Sequence, residues 1–352
     1  MSGIAGLSSK ALYAKARACY APRLDETVYT ALAAQDDINE FAAYLKNKTP
    51  YGAAFEGVGG SGRFTRLQLE AVIKRMTFLR MEKVLRYARL CDNYVSDYFR
   101  TKHECECIIR RLRQKGDYTL DSYFLYLPDG FFKNTRFDLT ALERAGEPDS
   151  LLPVLQGTPY ERLVKRLVSG MPSDGYAGRL VPENTLYAYL YETGAAGFKR
   201  KLGAREYSEV EGLLAALGDM LTVGTLYRIK KYYAAHEETL RLHVYRSTVT
   251  RLSETQCDRL MHAPDAAAFS EALTGTCYKG LVPLLAGEKA AVFTRQYIYN
   301  VCRRLFFKSD NAATVALCYG VCTAAEADNL ITLTEGISAG APPEQMLSLL
   351  IR

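Results

Sequence analysis

Between Phe64 and Phe99 the chain has neither proline nor glycine, and its apolar positions advance in steps of mostly three and four. They are Leu69, Ile73, Met76, Leu79, Val84, Tyr87, Cys91, Tyr94 and Tyr98. That is the period of one helix face, and the spacing predicts a helix of about 55 Å. The other face carries Arg66, Lys74, Arg75, Arg80, Lys83, Arg86 and Arg89. Such a stripe reads first as a solvated surface, with an acidic partner as the sharper alternative. Turn residues gather in 126–134 and 247–254, and no strand alternation persists beyond a few positions. The predicted fold class is all-α.

The hydrophobic pattern also repeats over a longer range. Leu32, Leu142 and Leu260 each precede a second leucine at i+13, namely Leu45, Leu155 and Leu273. Four positions before that second leucine stands Phe41, Leu151 or Phe269, as one face of an amphipathic helix requires. Each segment closes on Thr-x-Tyr: Thr49-Pro50-Tyr51, Thr158-Pro159-Tyr160 and Thr276-Cys277-Tyr278. Proline disfavours helical geometry in the residue before it, so a helix is expected to stop there. The stop should be less sharp at Cys277, and the tyrosine ring should anchor the start of the next helix.

A second signature succeeds each first one. Glu104, Asp219 and Glu326 are each followed at i+3 by a small or polar residue (Cys107, Thr222, Asn329) and then by an aliphatic one. Six residues beyond that position comes a charge: Arg113, Arg228 or Glu335. Both signatures recur at intervals of ~110 residues, which agrees with the number of domains the length allows. The expected organisation is three similar helical repeats at 1–115, 116–235 and 236–352.

Composition trims the functional classes. With 48% hydrophobic and 24% charged residues among 352, the chain is globular rather than disordered. The longest weakly polar stretch, Gly280 to Phe293, is broken by Pro283, Glu288 and Lys289, so no membrane-spanning helix is expected. The first twenty residues lack the apolar run of a signal peptide, and a soluble cytoplasmic chain is expected. A net charge of +6 falls short of a dedicated nucleic-acid binder. Nine dispersed cysteines with no Cys-x-x-Cys read as reduced, buried small hydrophobes.

Catalytic patterns are present in letters only. Gly57–Gly62 satisfies G-x-G-x-x-G, but no strand is expected before it, as a dinucleotide site needs. There is no P-loop, and no His-Glu-x-x-His around His103, His236, His243 or His262. The pairs Asp36-Asp37 and Glu237-Glu238 read as exposed helix charges. No catalytic, cofactor or metal site is expected. Tyr51, Tyr160, Tyr278, Glu104, Asp219, Glu326, Asn329 and Glu335 stand as repeat-signature positions with structural roles.

Several segments together carry a resemblance. They are Tyr13-Ala14-Lys15-Ala16-Arg17, Arg23-Leu24-Asp25, Thr49-Pro50-Tyr51-Gly52 and Leu226–Tyr233. To these add Glu326-x-x-Asn329-Leu330, Glu335-Gly336 and the closing amphipathic stretch to Arg352. In this order they resemble the C-type stalk subunits of the bacterial and archaeal V-type (A-type) ATPases, counterparts of the d-type subunits of vacuolar ATPases. Cys107 and Thr222 depart from the asparagine that the family often carries at those positions. The resemblance implies a funnel of three helical units about a pseudo-threefold axis. It also implies a non-catalytic adaptor of the central stalk, whose partners are the central shaft subunits and the membrane rotor ring. Such an adaptor couples ATP hydrolysis or synthesis to H⁺ or Na⁺ transport. It sits on the cytoplasmic side, touches the membrane only through partners, binds no nucleic acid and needs no cofactor. The residues by themselves also admit a generic helical-repeat protein-binding scaffold.

Overall fold

The computed structural model describes residues 2–58, 63–88, 94–113, 135–145, 148–170, 176–232, 244–245 and 247–352, and every regular element among them is helical. Two compact units can be separated. One holds the described residues of 1–93 and 299–352, the other those of 94–118 and 135–298.

In the first unit α1 (Ser2–Tyr20), α2 (Glu26–Ala33), α3 (Ile38–Lys48) and a 3-10 turn (Pro50–Phe55) lead into α4 (Arg66–Ala88). Polar residues fix where these helices start, because the first backbone N–H groups of a helix lack internal partners. Asp25 accepts from Val28 N to cap α2, and Asp37 accepts from Asn39 N and Glu40 N to cap α3. Asp37 is therefore a capping group rather than a free helix charge. The core packs Phe41, Leu45 and Tyr51 against Leu69, Val72 and Ile73 of α4, and against Leu330 and Leu333 of a long C-terminal helix. Burial of each such side chain contributes about 2 kcal/mol.

The second unit begins with α5 (Tyr94–Arg113), followed by the short α6 (Leu139–Arg144) and α7 (Leu151–Val154). Next come α8 (Glu161–Gly170), α9 (Tyr176–Lys199) and α10 (Ala204–Tyr232), then α11 (Glu254–His262), α12 (Ala266–Thr274) and α13 (Val282–Ala286). The main helix pairings are α5 with α9 and α9 with α10. Gly218 lets α10 approach Tyr245 closely: a Cβ there would lie 2.6 Å from the tyrosine ring. The helix α14 (Phe293–Lys308) leads back to the first unit, which ends with the long α15 (Ala312–Ser338) and α16 (Pro343–Ser348).

The structure bears on four of these expectations. α10 is long and apolar enough to cross a membrane by composition, with a best window of mean hydropathy 1.2, yet 78% of that window is buried within the protein. Burial of most of its circumference within the protein accounts for its apolar character. The helix foreseen from Phe64 to Phe99 is represented by α4 and α5, and its joining residues 89–93 lie outside the described residues, as does the 126–134 link. Arg80, placed on the solvated face, is in fact buried at 6% exposure, held there by a carboxylate from α15. Of the cysteines, 105, 107, 302, 318 and 322 are buried thiols, whereas Cys19 and Cys257 are half-buried and Cys277 is exposed.

Candidate functional site: three buried tyrosine–carboxylate joints

Each Thr-x-Tyr signature ends its preceding segment in the same way. The threonine hydroxyl donates to the carbonyl of the second signature leucine: Thr49 to Leu45 (2.5 Å), Thr158 to Leu155 (2.6 Å) and Thr276 to Leu273 (2.8 Å). The same oxygen then accepts from the tyrosine N–H, at 3.1, 3.3 and 3.0 Å for Tyr51, Tyr160 and Tyr278. Threonine thus satisfies a terminal carbonyl and turns the chain in one move. The stop at Cys277 keeps these bonds without proline, so the expected softening does not occur. The hydroxyl, which needs no proline, closes the turn.

The turn drives each tyrosine fully inside. Tyr51, Tyr160 and Tyr278 are all 0% exposed. A buried phenol needs a partner, and each finds one of the second-signature acids. Tyr160 OH donates to Glu104 Oε2 at 2.6 Å, Tyr278 OH to Asp219 Oδ2 at 2.5 Å, and Tyr51 OH to Glu326 Oε1 at 3.0 Å. The tyrosines serve as hydroxyl donors as well as apolar anchors. Burial, reinforced by the adjacent carboxylate, pushes the Tyr51 and Tyr278 phenols well above their ordinary range.

A third element, whose first copy was noted only for the family resemblance and whose recurrence was missed, completes each joint. Arg23-Leu24-Asp25, Arg136-Phe137-Asp138 and Arg251-Leu252-Ser253 share a pattern of arginine, apolar residue and capping residue. Asp25, Asp138 and Ser253 cap α2, α6 and α11. The backbone just before each cap donates to the joint's acid. Leu24 N reaches Glu326 Oε2 (3.1 Å), Arg136 N reaches Glu104 Oε1 (2.6 Å), and Arg251 N reaches Asp219 Oδ2 (2.8 Å). An alignment of the chain with itself at the interval of the other signatures would have exposed this pattern.

The cations differ among the joints. Glu326 has two: Arg23 Nε at 3.3 Å, and the Arg80 guanidinium hydrogen-bonded to Oε1. Arg80 also lies over the Tyr51 ring, 5.0 Å from its centroid. A guanidinium inside is tolerable when a carboxylate faces it, which is why Arg80 leaves the surface of α4. Among the described residues Glu104 has one cation, Arg136, whose Nη1 sits 2.7 Å from Oε2 and 3.0 Å from the Tyr160 hydroxyl. Asp219 is held by neutral donors: Thr250 OH at 2.5 Å, Tyr278 OH and Arg251 N. The Arg251 guanidinium instead lies 6.0 Å from the Tyr278 ring centroid. Burial accordingly raises the Asp219 pKa, and the hydrogen bonds from Thr250, Tyr278 and Arg251 N, with the more distant Arg251 charge, offset only part of that.

Asn329 has its own task. Its Nδ2 donates to Ile351 O (2.8 Å) and its Oδ1 accepts from Ile351 N (2.7 Å), clasping the C-terminal segment. Thr222, at the matching position, donates to Tyr245 O at 3.3 Å, and Cys107 is simply buried. Glu335 is exposed and pairs with Arg66 at 3.3 Å. The signature positions therefore separate into joints, a clasp and a surface ion pair.

Among the described residues no group of three or more His, Cys, Asp or Glu side chains could hold a metal. Gly57 has a positive φ of 73° after a 3-10 turn, and Gly59–Gly62 lie outside the described residues. His103 sits beside Glu106 at 3.3 Å, and His262 Nδ1 lies 2.7 Å from the Asp258 carbonyl. His236, His243 and Glu237-Glu238 lie outside the described residues.

Fold and joints define an all-helical protein whose repeated motifs build buried hydrogen-bonded clamps. More particularly, the chain belongs to the ATP synthase (C/AC39) subunit family, whose model matches residues 12–349, and so to the subunits of V/A-type ATP synthases. No curated protein matches it.

Proposed function

We propose that this chain is the non-catalytic adaptor of the central stalk in a rotary V/A-type ATPase, joining the central shaft to the ion-translocating membrane ring. It passes torque between them, so that ATP hydrolysis or synthesis is coupled to H⁺ or Na⁺ movement. In this reading residues 1–115, 116–235 and 236–352 are three helical units about a pseudo-threefold axis, forming a funnel. The adaptor sits peripherally on the cytoplasmic side and reaches the membrane only through its partners.

The observation that carries this reading is the order of the joints. Tyr160 binds the acid of the repeat before it, Glu104, and Tyr278 likewise binds Asp219. Tyr51, in the first repeat, binds Glu326 of the last across a sequence separation of 275 residues. A chain in which each repeat is clamped to its predecessor, and the first to the last, suits a closed ring of three. Such a ring transmits torque well, because buried, fully bonded polar groups fix one geometry. The test is to express the chain with the shaft subunits and the membrane ring. Co-purification with both supports the adaptor role, and consistent failure to capture either would refute it.

A further inference from the structure

We propose that the exposed face of α8 is a docking surface for an acidic helical segment of another subunit of the assembly. This deepens the adaptor reading, and rests on it, by naming the chemistry of one surface through which the chain is held. Arg162, Lys165 and Arg166 are exposed, and with Ser169 they line one open concavity. They occupy positions i, i+3, i+4 and i+7 of the helix, so three cations and a hydroxyl share one stripe about 10 Å long. None of the three cations is paired with a carboxylate among the described residues. The neighbouring acid, Glu161, is engaged locally, accepting from Gly157 N at 2.7 Å.

The fold does not require this stripe. After Tyr51 the chain makes a mostly apolar 3-10 turn, Pro50–Phe55, and after Tyr278 it makes the turn Lys279–Leu281 and the apolar α13. Only after Tyr160, among the three signatures, does a ten-residue amphipathic helix with a cationic outer face follow. Two arginine forks one turn apart match carboxylates bidentately, and the lysine between them adds a point charge.

Other anionic partners fit less well. A helix that lies on a lipid surface must offer an apolar face to the bilayer, but α8 turns Val164 and Leu167 into the protein, at 0% and 5% exposure. Single-stranded nucleic acid is held by stacking on aromatic rings, and α8 carries none. A partner helix with carboxylates at i and i+4 needs neither feature.

The experiment uses the assembled complex prepared without this chain and immobilised, titrated with wild-type protein and with the R162E/K165E/R166E variant at low and high salt. Helical content and thermal unfolding of the variant check its fold, and the R162Q/R166Q variant takes its place if the triple reversal does not fold. The expected result is binding weakened about tenfold for the variant at low salt, with the difference shrinking at high salt. Equal binding of variant and wild type overturns the inference while leaving the adaptor reading intact. Failure of the wild-type protein to bind overturns both. Capture of wild type, but not variant, by phosphatidylserine vesicles overturns the inference in favour of a lipid surface.

Discussion

At the scale of single residues, the three joints share geometry but differ in charge balance, and this sets what each substitution should cost. Glu326→Gln leaves Arg23 and Arg80 facing a neutral amide, with Arg80 buried. Loss of one partner from a buried ion pair typically costs ~3 kcal/mol, and urea unfolding should show it. Asp219→Asn should behave differently. Its carboxylate is held by neutral donors, and its pKa is raised by burial. The folded state therefore binds that proton more tightly than the unfolded chain does. Between the ordinary aspartate pKa of about 4 and the raised folded value, this group's contribution to stability falls as pH rises. Asparagine removes that slope, so Asp219→Asn should gain on the wild type in urea midpoints measured at increasing pH. A variant that loses ground steadily with pH would contradict a raised Asp219 pKa. The letters Tyr, Glu and Asp were legible as repeat positions because they recur at a fixed interval. Their mutual bonding was not, since Tyr160 and Tyr278 meet acids 56 and 59 residues earlier and Tyr51 meets one 275 residues later. Arg23 stood out only within the family resemblance, and Arg136 and Arg251 were hidden because they lie before short helices, where no long periodicity marks them.

At the scale of elements, helix ends proved less dependent on proline than the sequence suggested. Thr276 makes the same two bonds as Thr49 and Thr158, with an exposed cysteine between it and Tyr278. Cys277→Pro should therefore be accepted, with a gain of up to about 1 kcal/mol from restricting the unfolded chain, measurable by thermal unfolding. Gly218→Ala should do the opposite. Its Cβ would press on the Tyr245 ring at 2.6 Å, and such overpacking costs ~1–3 kcal/mol. The helical class and the buried face of α4 followed directly from apolar spacing. Arg80 did not, because its stripe position says nothing of the acid opposite. Periodicity reports which face of a helix is apolar, whereas a buried guanidinium depends on Glu326 from α15, distant in sequence. For the same reason α10 resembles a membrane span by composition alone and is distinguished by what packs round it.

At the scale of the whole molecule, the repeat interval and the order of recognisable segments led to the family, and the family match over residues 12–349 agrees with that reading. The sequence offered no guide to which tyrosine meets which acid, which is a property of side chains meeting across long separations. If the joints hold a closed ring rigid, weakening one should loosen coupling in the assembled motor before it unfolds the chain. Tyr51→Phe removes one hydrogen bond to a buried carboxylate, at a cost of about 1.5–3 kcal/mol. The complex carrying it should slip, with more ATP hydrolysed per ion moved than in the wild type. The central claim is tested most directly by measuring ATP hydrolysis and ion transport together in membranes whose complex lacks this chain, before and after the purified protein is added back. The account predicts hydrolysis without transport in its absence and restored coupling on its return. Transport that stays fully coupled without the chain would contradict it.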